Sequence, residues 1–294
     1  MAQYGARAWP GLVTHRTTIK RGCFDIAILA RPDDPWSGEL MMAAGIPVRI
    51  GYEHPRTLPF LTRALPFREN RHVTMHTLDL IEAAMDYFTP RPFFPTCAPM
   101  TDCFAPTSEE EAAVVKVLTQ AAPDAGMRPC VLHPGSSWPI KNWSPHQWGA
   151  LAARLRQSEG FTPVVTGGKD DLELVSAVVQ ASKGQAYDLA GKLTIGSLAA
   201  LFRRASLVIA TDSGPLHLAA MVGARVVGLY GPADPLKFGP YCPPENRRIV
   251  RVQLPCSPCG EMLSPPCGVL SEPPCVAGIT VNAILSAAAE LYQT

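Results

Sequence analysis

Residues 207–230 read LVIATDSGPLHLAAMVGARVVGLY, and this stretch decides the fold class. Leu207–Thr211 is an apolar run of strand length. Asp212-Ser213-Gly214 breaks it with turn-forming residues. Pro215 is suited to the first helical position, and the helix it opens runs to about Val222. Arg225–Tyr230 is a second apolar strand. A strand, a loop, a helix and a strand in so short a span form a βαβ unit, and such units build parallel sheets.

The same alternation extends upstream. CVLHPG, residues 130–135, is a strand running into a loop. Ser144-Pro145-His146-Gln147 then predicts a helix start, with Ser144 as the cap, Pro145 at N1 and Gln147 completing a capping box. Trp148, Leu151, Ala152 and Leu155 give that helix a core face. Residues 162–166 form a strand that turns at Gly167-Gly168, residues 170–181 a helix, and residues 186–189 an extended segment. Thr194 caps a helix carrying Leu198, Leu201 and Phe202, and a last helix covers about 280–292. Nearer the N-terminus, residues 24–30 and 48–51 are strands. A short helix carries Met41, Met42 and Ala44. Residues 72–88 are helical through Leu78, Ile81, Met85 and Phe88. Five prolines within 89–106 rule out a helix or central strand there and mark a linker. Ser108 with Glu111 is a capping box for the next helix. The expected division is therefore 1–106 and 107–294, the latter holding a Cys/Pro-rich loop at 242–275.

Composition narrows the function. The chain has 294 residues, 47% of them hydrophobic, so it can bury a substantial core. Its 26 basic and 25 acidic residues leave a formal charge of +1, which gives no general case for nucleic acid. No apolar run approaches the roughly 18 residues of a membrane span. Residues 1–16, MAQYGARAWPGLVTHR, lack the apolar centre of a signal peptide. Nine cysteines, an odd count, argue against a disulfide framework. The expectation is a cytoplasmic protein with at most peripheral association at the inner membrane.

In open parallel sheets, ligands bind beyond the C-terminal ends of the strands. Three loops fall there. His133-Pro134-Gly135-Ser136-Ser137 with Lys141 offers small residues, two hydroxyls and a cation, which suit a diphosphate. Gly167-Gly168-Lys169-Asp170-Asp171 offers a carboxylate that can accept from ribose hydroxyls or favour a helix N-terminus. Thr211-Asp212-Ser213-Gly214-Pro215-Leu216-His217 places free amides, a carboxylate and an imidazole at one helix entrance. As pocket residues, Asp212 and His217 should tolerate alanine with little change in melting temperature. None of these loops is a Walker motif, a GxGxxG turn or a GxSxG elbow.

The run HPGSSWPIKNWSPHQWGALAARL, then VVTGGKDDLELV, then LAGKLTIGSLAALFRRASLVIATDSGPLHLAAMVGARVVGLYGPADP, resembles glycosyltransferase family 9, the ADP-heptose:lipopolysaccharide heptosyltransferases. FDIAILARPDDPWSGELMMAAGIPVRIGY and RHVTMHTLDL are similar to the second part of that family's N-terminal domain. The resemblance implies a GT-B fold, two Rossmann-like α/β domains, with the donor on the C-terminal domain and the acceptor on the N-terminal one. By position, Ser136, Ser137, Lys141, Ser213 and Gly214 match the donor diphosphate residues, and Asp171, Asp212 and His217 those around the ribose and transferred sugar. The implied reaction is an inverting, metal-independent heptose transfer from ADP-heptose to the lipopolysaccharide inner core, with no cofactor. The implied partners are ADP-heptose or a similar nucleotide sugar and a lipid-linked anionic saccharide. The family also opens with a strand and a Gly-Asp loop that carries the presumed base. Residues 1–23 do not contain that pattern, so the first βαβ is expected to be missing and the catalytic base is left unassigned. A catalytically impaired nucleotide-sugar-binding remnant, or a GT-B transferase using another nucleotide sugar, is the alternative.

Two features remain. Cys256, Cys259, Cys267 and Cys275 have a leading C-x2-C that could hold zinc, but the later spacings are loose, and reduced thiols without metal are the expectation. Residues 1–72 carry ten Lys/Arg against six Asp/Glu, a surplus of +4. Such a surplus suits an anionic acceptor or a solvated surface.

Overall fold

The computed structural model describes residues 19, 22–88, 104–123 and 128–293. The chain forms two compact units, Met1–Cys97 and Ala98–Thr294. Most of the expected linker, 89–103, and most of the opening segment, residues 1–18, 20 and 21, lie outside the described residues.

The first unit holds three parallel strands in the order β1 (Ile26–Leu29), β2 (Val48–Tyr52), β3 (Arg63–Leu65). Helix α1 (Pro35–Ala43) starts where the Asp34 side chain accepts from the Ser37 amide, and Pro35 fits its first turn. Helix α2 (Val73–Phe88) buries Leu80, Ala83 and Ala84 against Val48, Ile50 and Tyr52. The Tyr52 hydroxyl donates to the His76 carbonyl at 2.7 Å, tying the strand to the helix.

The second unit holds six parallel strands, β4 (Pro129–His133), β5 (Thr162–Val165), β6 (Tyr187–Asp188), β7 (Leu207–Thr211), β8 (Val226–Tyr230) and β9 (Arg247–Arg251). Their spatial order is β6-β5-β4-β7-β8-β9. Counted from β4 as the first strand, this is the 3-2-1-4-5-6 order of the dinucleotide-binding fold, with its switch point between β4 and β7. Helices cover both faces. On one side α4 (Pro145–Ser158), α5 (Leu172–Ala181) and α8 (Val281–Glu290) pack on Cys130, Leu132, Leu207, Ile209, Val227 and Leu229. On the other, α3 (Ser108–Ala121), α6 (Ile195–Arg204) and α7 (Gly214–Met221) pack on Val131, Val208, Ala210 and Val226. Alternate residues of each strand thus feed opposite cores, which is why the strands read as continuous apolar runs. Gly149 lets α4 approach the end of α5, since a Cβ there would lie 2.5 Å from the Ala181 methyl.

Three sequence readings need correction. The capping box of α3 is Thr107 with Glu110, one residue earlier than Ser108 with Glu111. Its reciprocal bonds are Glu110 N to Thr107 Oγ1 at 3.3 Å and Thr107 N to Glu110 Oε2 at 2.7 Å. Ser144 is the N-cap of α4 but makes no side-chain cap bond. Gln147, read as its partner, donates instead to the Ala277 and Ile279 carbonyls at 3.4 Å. In α7 the cap is Ser213 and Gly214 takes the first position, so Pro215 stands one place later than expected.

Candidate functional site

The three loops converge at the C-terminal ends of β4, β5 and β7, beside the switch point. A pocket of about 370 Å³ is lined by His133, Gly135, Ser137, Asp171, Ser213 and Gly214 among others, with Leu189, Leu193, Ile195 and Leu198 on its apolar side. The backbone is drawn together by Thr211, whose buried hydroxyl donates to the Gly135 carbonyl at 3.0 Å.

The strongest electrostatic feature spans β4 and β7. Lys141 Nζ lies 2.6 Å from Asp212 Oδ2, with side-chain exposures of 15% and 7%. The other oxygen, Asp212 Oδ1, is 3.8 Å from His217 Nε2. Burial alone would push the Asp212 carboxyl up. The neighbouring His217 and Lys141 outweigh it and hold the group below the ordinary carboxylate range. The Tyr230 hydroxyl, buried beneath this cluster, donates to the Phe238 carbonyl at 2.9 Å. Burial and the Asp212 charge push its pKa up, so it stays protonated.

The other anticipated residues divide by what their atoms already do. The Ser136 hydroxyl bonds within its own loop, to Trp138 O and Asn142 Oδ1 at 2.7 Å each. The Ser213 hydroxyl turns back to Thr211 O at 3.1 Å. Both side chains therefore shape the loops. Ser137 is exposed on the pocket rim. Gly214 opens α7, where first-turn amides lack intrahelical acceptors. Asp171 Oδ2 accepts from the Gly168 amide at 2.8 Å, while Oδ1 faces Gly135. A Cβ on Gly135 would come within 2.5 Å of that oxygen and would have to displace the Asp171 carboxylate. Sequence reasoning missed His133 and Thr166 as a site pair. Their ring and hydroxyl meet at 3.0 Å inside the pocket wall.

The tail cysteines are free thiols, and Cys259, Cys267 and Cys256 lie near enough to Cys275 to add to the upward push that burial gives its pKa. Cys256 and Cys267 are exposed, Cys259 is half-buried and Cys275 is buried. Among the described residues, no group of three or more His, Cys, Asp or Glu side chains is arranged to hold a metal. The segment is pinned by Ser257 Oγ donating to Gly231 O and Gly260 N to Pro232 O, both at 2.8 Å. Burial pushes the Cys242 thiol up to about 11 and that of Cys130 up as well. Native labelling with N-ethylmaleimide should thus modify Cys256 and Cys267 rapidly, and Cys130 and Cys242 only after denaturation. Peptide mapping by mass spectrometry checks this, and equal rates at all four would contradict the placement.

Parallel six-stranded order, helices on both faces and loops that converge at the switch point define a Rossmann-like domain of the kind that makes up GT-B proteins. The chain belongs to glycosyltransferase family 9 (heptosyltransferase), whose model matches residues 12–267. It is 30% identical over 138 residues to the lipooligosaccharide heptosyltransferase 2 of Campylobacter jejuni, covering 46% of this chain and 43% of that relative. The match thus spans less than half the relative's length. Among solved structures, the fold is like that of E. coli ADP-heptose lps heptosyltransferase II, with TM-score 0.70, 20% identity, and 96% of this chain and 82% of that chain covered. It is also like that of E. coli heptosyltransferase WaaC with ADP, with TM-score 0.63, 20% identity, and 97% and 80% covered. No described helix is long and apolar enough to cross a membrane.

Proposed function

We propose that the Ala98–Thr294 unit binds a nucleoside diphosphate sugar, and that the protein transfers heptose from ADP-heptose to the lipopolysaccharide inner core. The observation that carries this reading is the Lys141–Asp212 pair at the switch point, with His217 on its far side. Asp212 adjoins Ser213 and Gly214, which line the pocket together with Gly135 and Asp171. In this reading Lys141 exchanges part of its contact with Asp212 for the donor diphosphate. Together with the Gly214 end of α7 it stabilises the charge that grows on the leaving group. Asp171 accepts from the ribose, and Asp212 and His217 border the transferred sugar. The similar solved structures, an ADP-heptose lps heptosyltransferase and a heptosyltransferase with ADP, support adenosine as the nucleoside. The +4 surplus over residues 1–72 supports an anionic, lipid-linked saccharide acceptor, reached from the cytoplasm or the inner-membrane surface.

Calorimetry with ADP, UDP and GDP tests the donor. ADP should bind most tightly, and Lys141→Ala should weaken it by about 1.5–3 kcal/mol, the scale of a charge-assisted hydrogen bond. Unchanged affinity in a folded Lys141→Ala protein would sink the assignment, and tighter binding of UDP or GDP would replace the donor. Turnover of ADP-heptose with a Kdo–lipid A acceptor tests the transfer.

A further inference from the structure

We infer that His133 is a further ligand-binding residue of this pocket, held by Thr166 as the Nε2–H tautomer so that its ring donates to an oxygen of the bound nucleoside diphosphate. The inference rests on the nucleotide reading above and adds a group which that reading does not use.

His133 ends β4, next to the switch point, and is 5% exposed. Its Nδ1 lies 3.0 Å from Thr166 Oγ1, on a residue 1% exposed. The Thr166 hydroxyl has one proton and two candidate acceptors. Leu132 O is 3.4 Å away and already accepts the Thr166 amide at 2.9 Å, whereas Nδ1 is closer and has no other partner among the described residues. The hydroxyl therefore donates to Nδ1. In a neutral imidazole that leaves the proton on Nε2. Nε2 has no partner among the described residues and is not sealed within the core. The ring itself lines the pocket with Gly135, Asp171 and Ser213. A polar atom so placed in a pocket wall is suited to a ligand.

The ring's charge state fits this role. Burial lowers the His133 pKa to about 4, and the Asp171 carboxylate, the charged group facing it from the loop after β5, recovers only part of the shift. At neutral pH the group is an uncharged donor. It can contact a phosphate or ribose oxygen without adding charge to a site that already holds Lys141.

The test uses the full chain. Long-range proton–nitrogen NMR of ¹⁵N-histidine-labelled protein, without ligand, should show His133 as the Nε2–H tautomer with no titration between about pH 5.5 and 8. Thr166→Val should change the tautomer signature and weaken ADP several-fold. In calorimetry, His133→Leu should weaken ADP about tenfold, the upper range for a neutral donor. His133→Gln, whose amide nitrogen can take the place of Nε2, should stay within about threefold of wild type. Should His133→Leu fail to fold, Thr166→Val and the spectra decide. An Nδ1–H tautomer, a ring titrating near 6.5, or unchanged ADP affinity in folded His133→Leu or Thr166→Val would overturn the inference alone. Wild-type protein that binds no nucleoside diphosphate would overturn it together with the nucleotide reading.

Discussion

Replacing Trp143 with alanine is expected to lower the unfolding free energy by about 3–5 kcal/mol, the range for deleting a large buried aromatic. Trp143 is 1% exposed and packs edge-to-face on Trp148, with ring centroids 5.3 Å apart and an interplanar angle of 78°. Its indole nitrogen donates to the Ile279 carbonyl at 3.1 Å. The substitution therefore opens a cavity beside α4 and α8 and removes the best donor to a main-chain acceptor. Ile279 O would keep only the longer contact from Gln147 at 3.4 Å. The consequence reaches the site, because Trp143 is two residues past Lys141 and anchors that loop in the core. Trp143→Phe, which keeps most of the ring and loses the hydrogen bond, should cost about 1–2 kcal/mol. Urea denaturation gives both values. A loss below about 1 kcal/mol for the alanine variant would mean that this loop is not held by the tryptophan pair.

The sequence made the second unit's layers legible because its strands are buried on both faces and its helices begin with recognisable residues. Thr194 illustrates the second point: its hydroxyl accepts from the Ser197 amide at 3.1 Å, as a cap there should. Edge strands were harder. Arg63–Leu65 is three residues long, and Arg247–Arg251 carries three arginines, so neither shows an apolar run or clean alternation. Both lie at sheet edges, where short or charged strands are common. The capping error at α3 arose because Thr107/Glu110 and Ser108/Glu111 satisfy the same spacing, and only backbone geometry selects between them. In the candidate site, residue type drew attention to Lys141, Asp171, Asp212 and His217. It could not show which hydroxyls were already committed, as Ser136 and Ser213 are. Nor could it bring Thr166 to His133, a contact that depends on β5 lying beside β4.

That same dependence on strand order changes what is expected of Asp212. Lys141 and Asp212 are 71 residues apart, and they meet because β4 and β7 are neighbours. As an isolated loop residue, Asp212 should be replaceable at little cost. Paired and 7% exposed at its side chain, it should not. Asp212→Ala strands a mostly buried ammonium, and the expected loss is about 3 kcal/mol, at the low end for a broken buried pair because Lys141 retains some access to water. His217, 39% exposed at its side chain, should tolerate alanine far better. The double variant Lys141→Met/Asp212→Leu should regain most of the stability, since no uncompensated charge remains, while ADP binding stays weak for want of the cation. The acid limb supplies a second check. The Asp212 pKa is lowered in the folded state from 3.8, so its contribution is complete at neutral pH and is lost as pH falls through the lowered value. Wild type and Asp212→Ala should therefore differ most near neutrality and converge in strong acid. Urea denaturation at pH 7 and at a series of pH values stepped downward from 3.8 measures both limbs. An alanine variant as stable as wild type at pH 7 would place Asp212 outside the structural pair and return it to the role of a pocket residue alone.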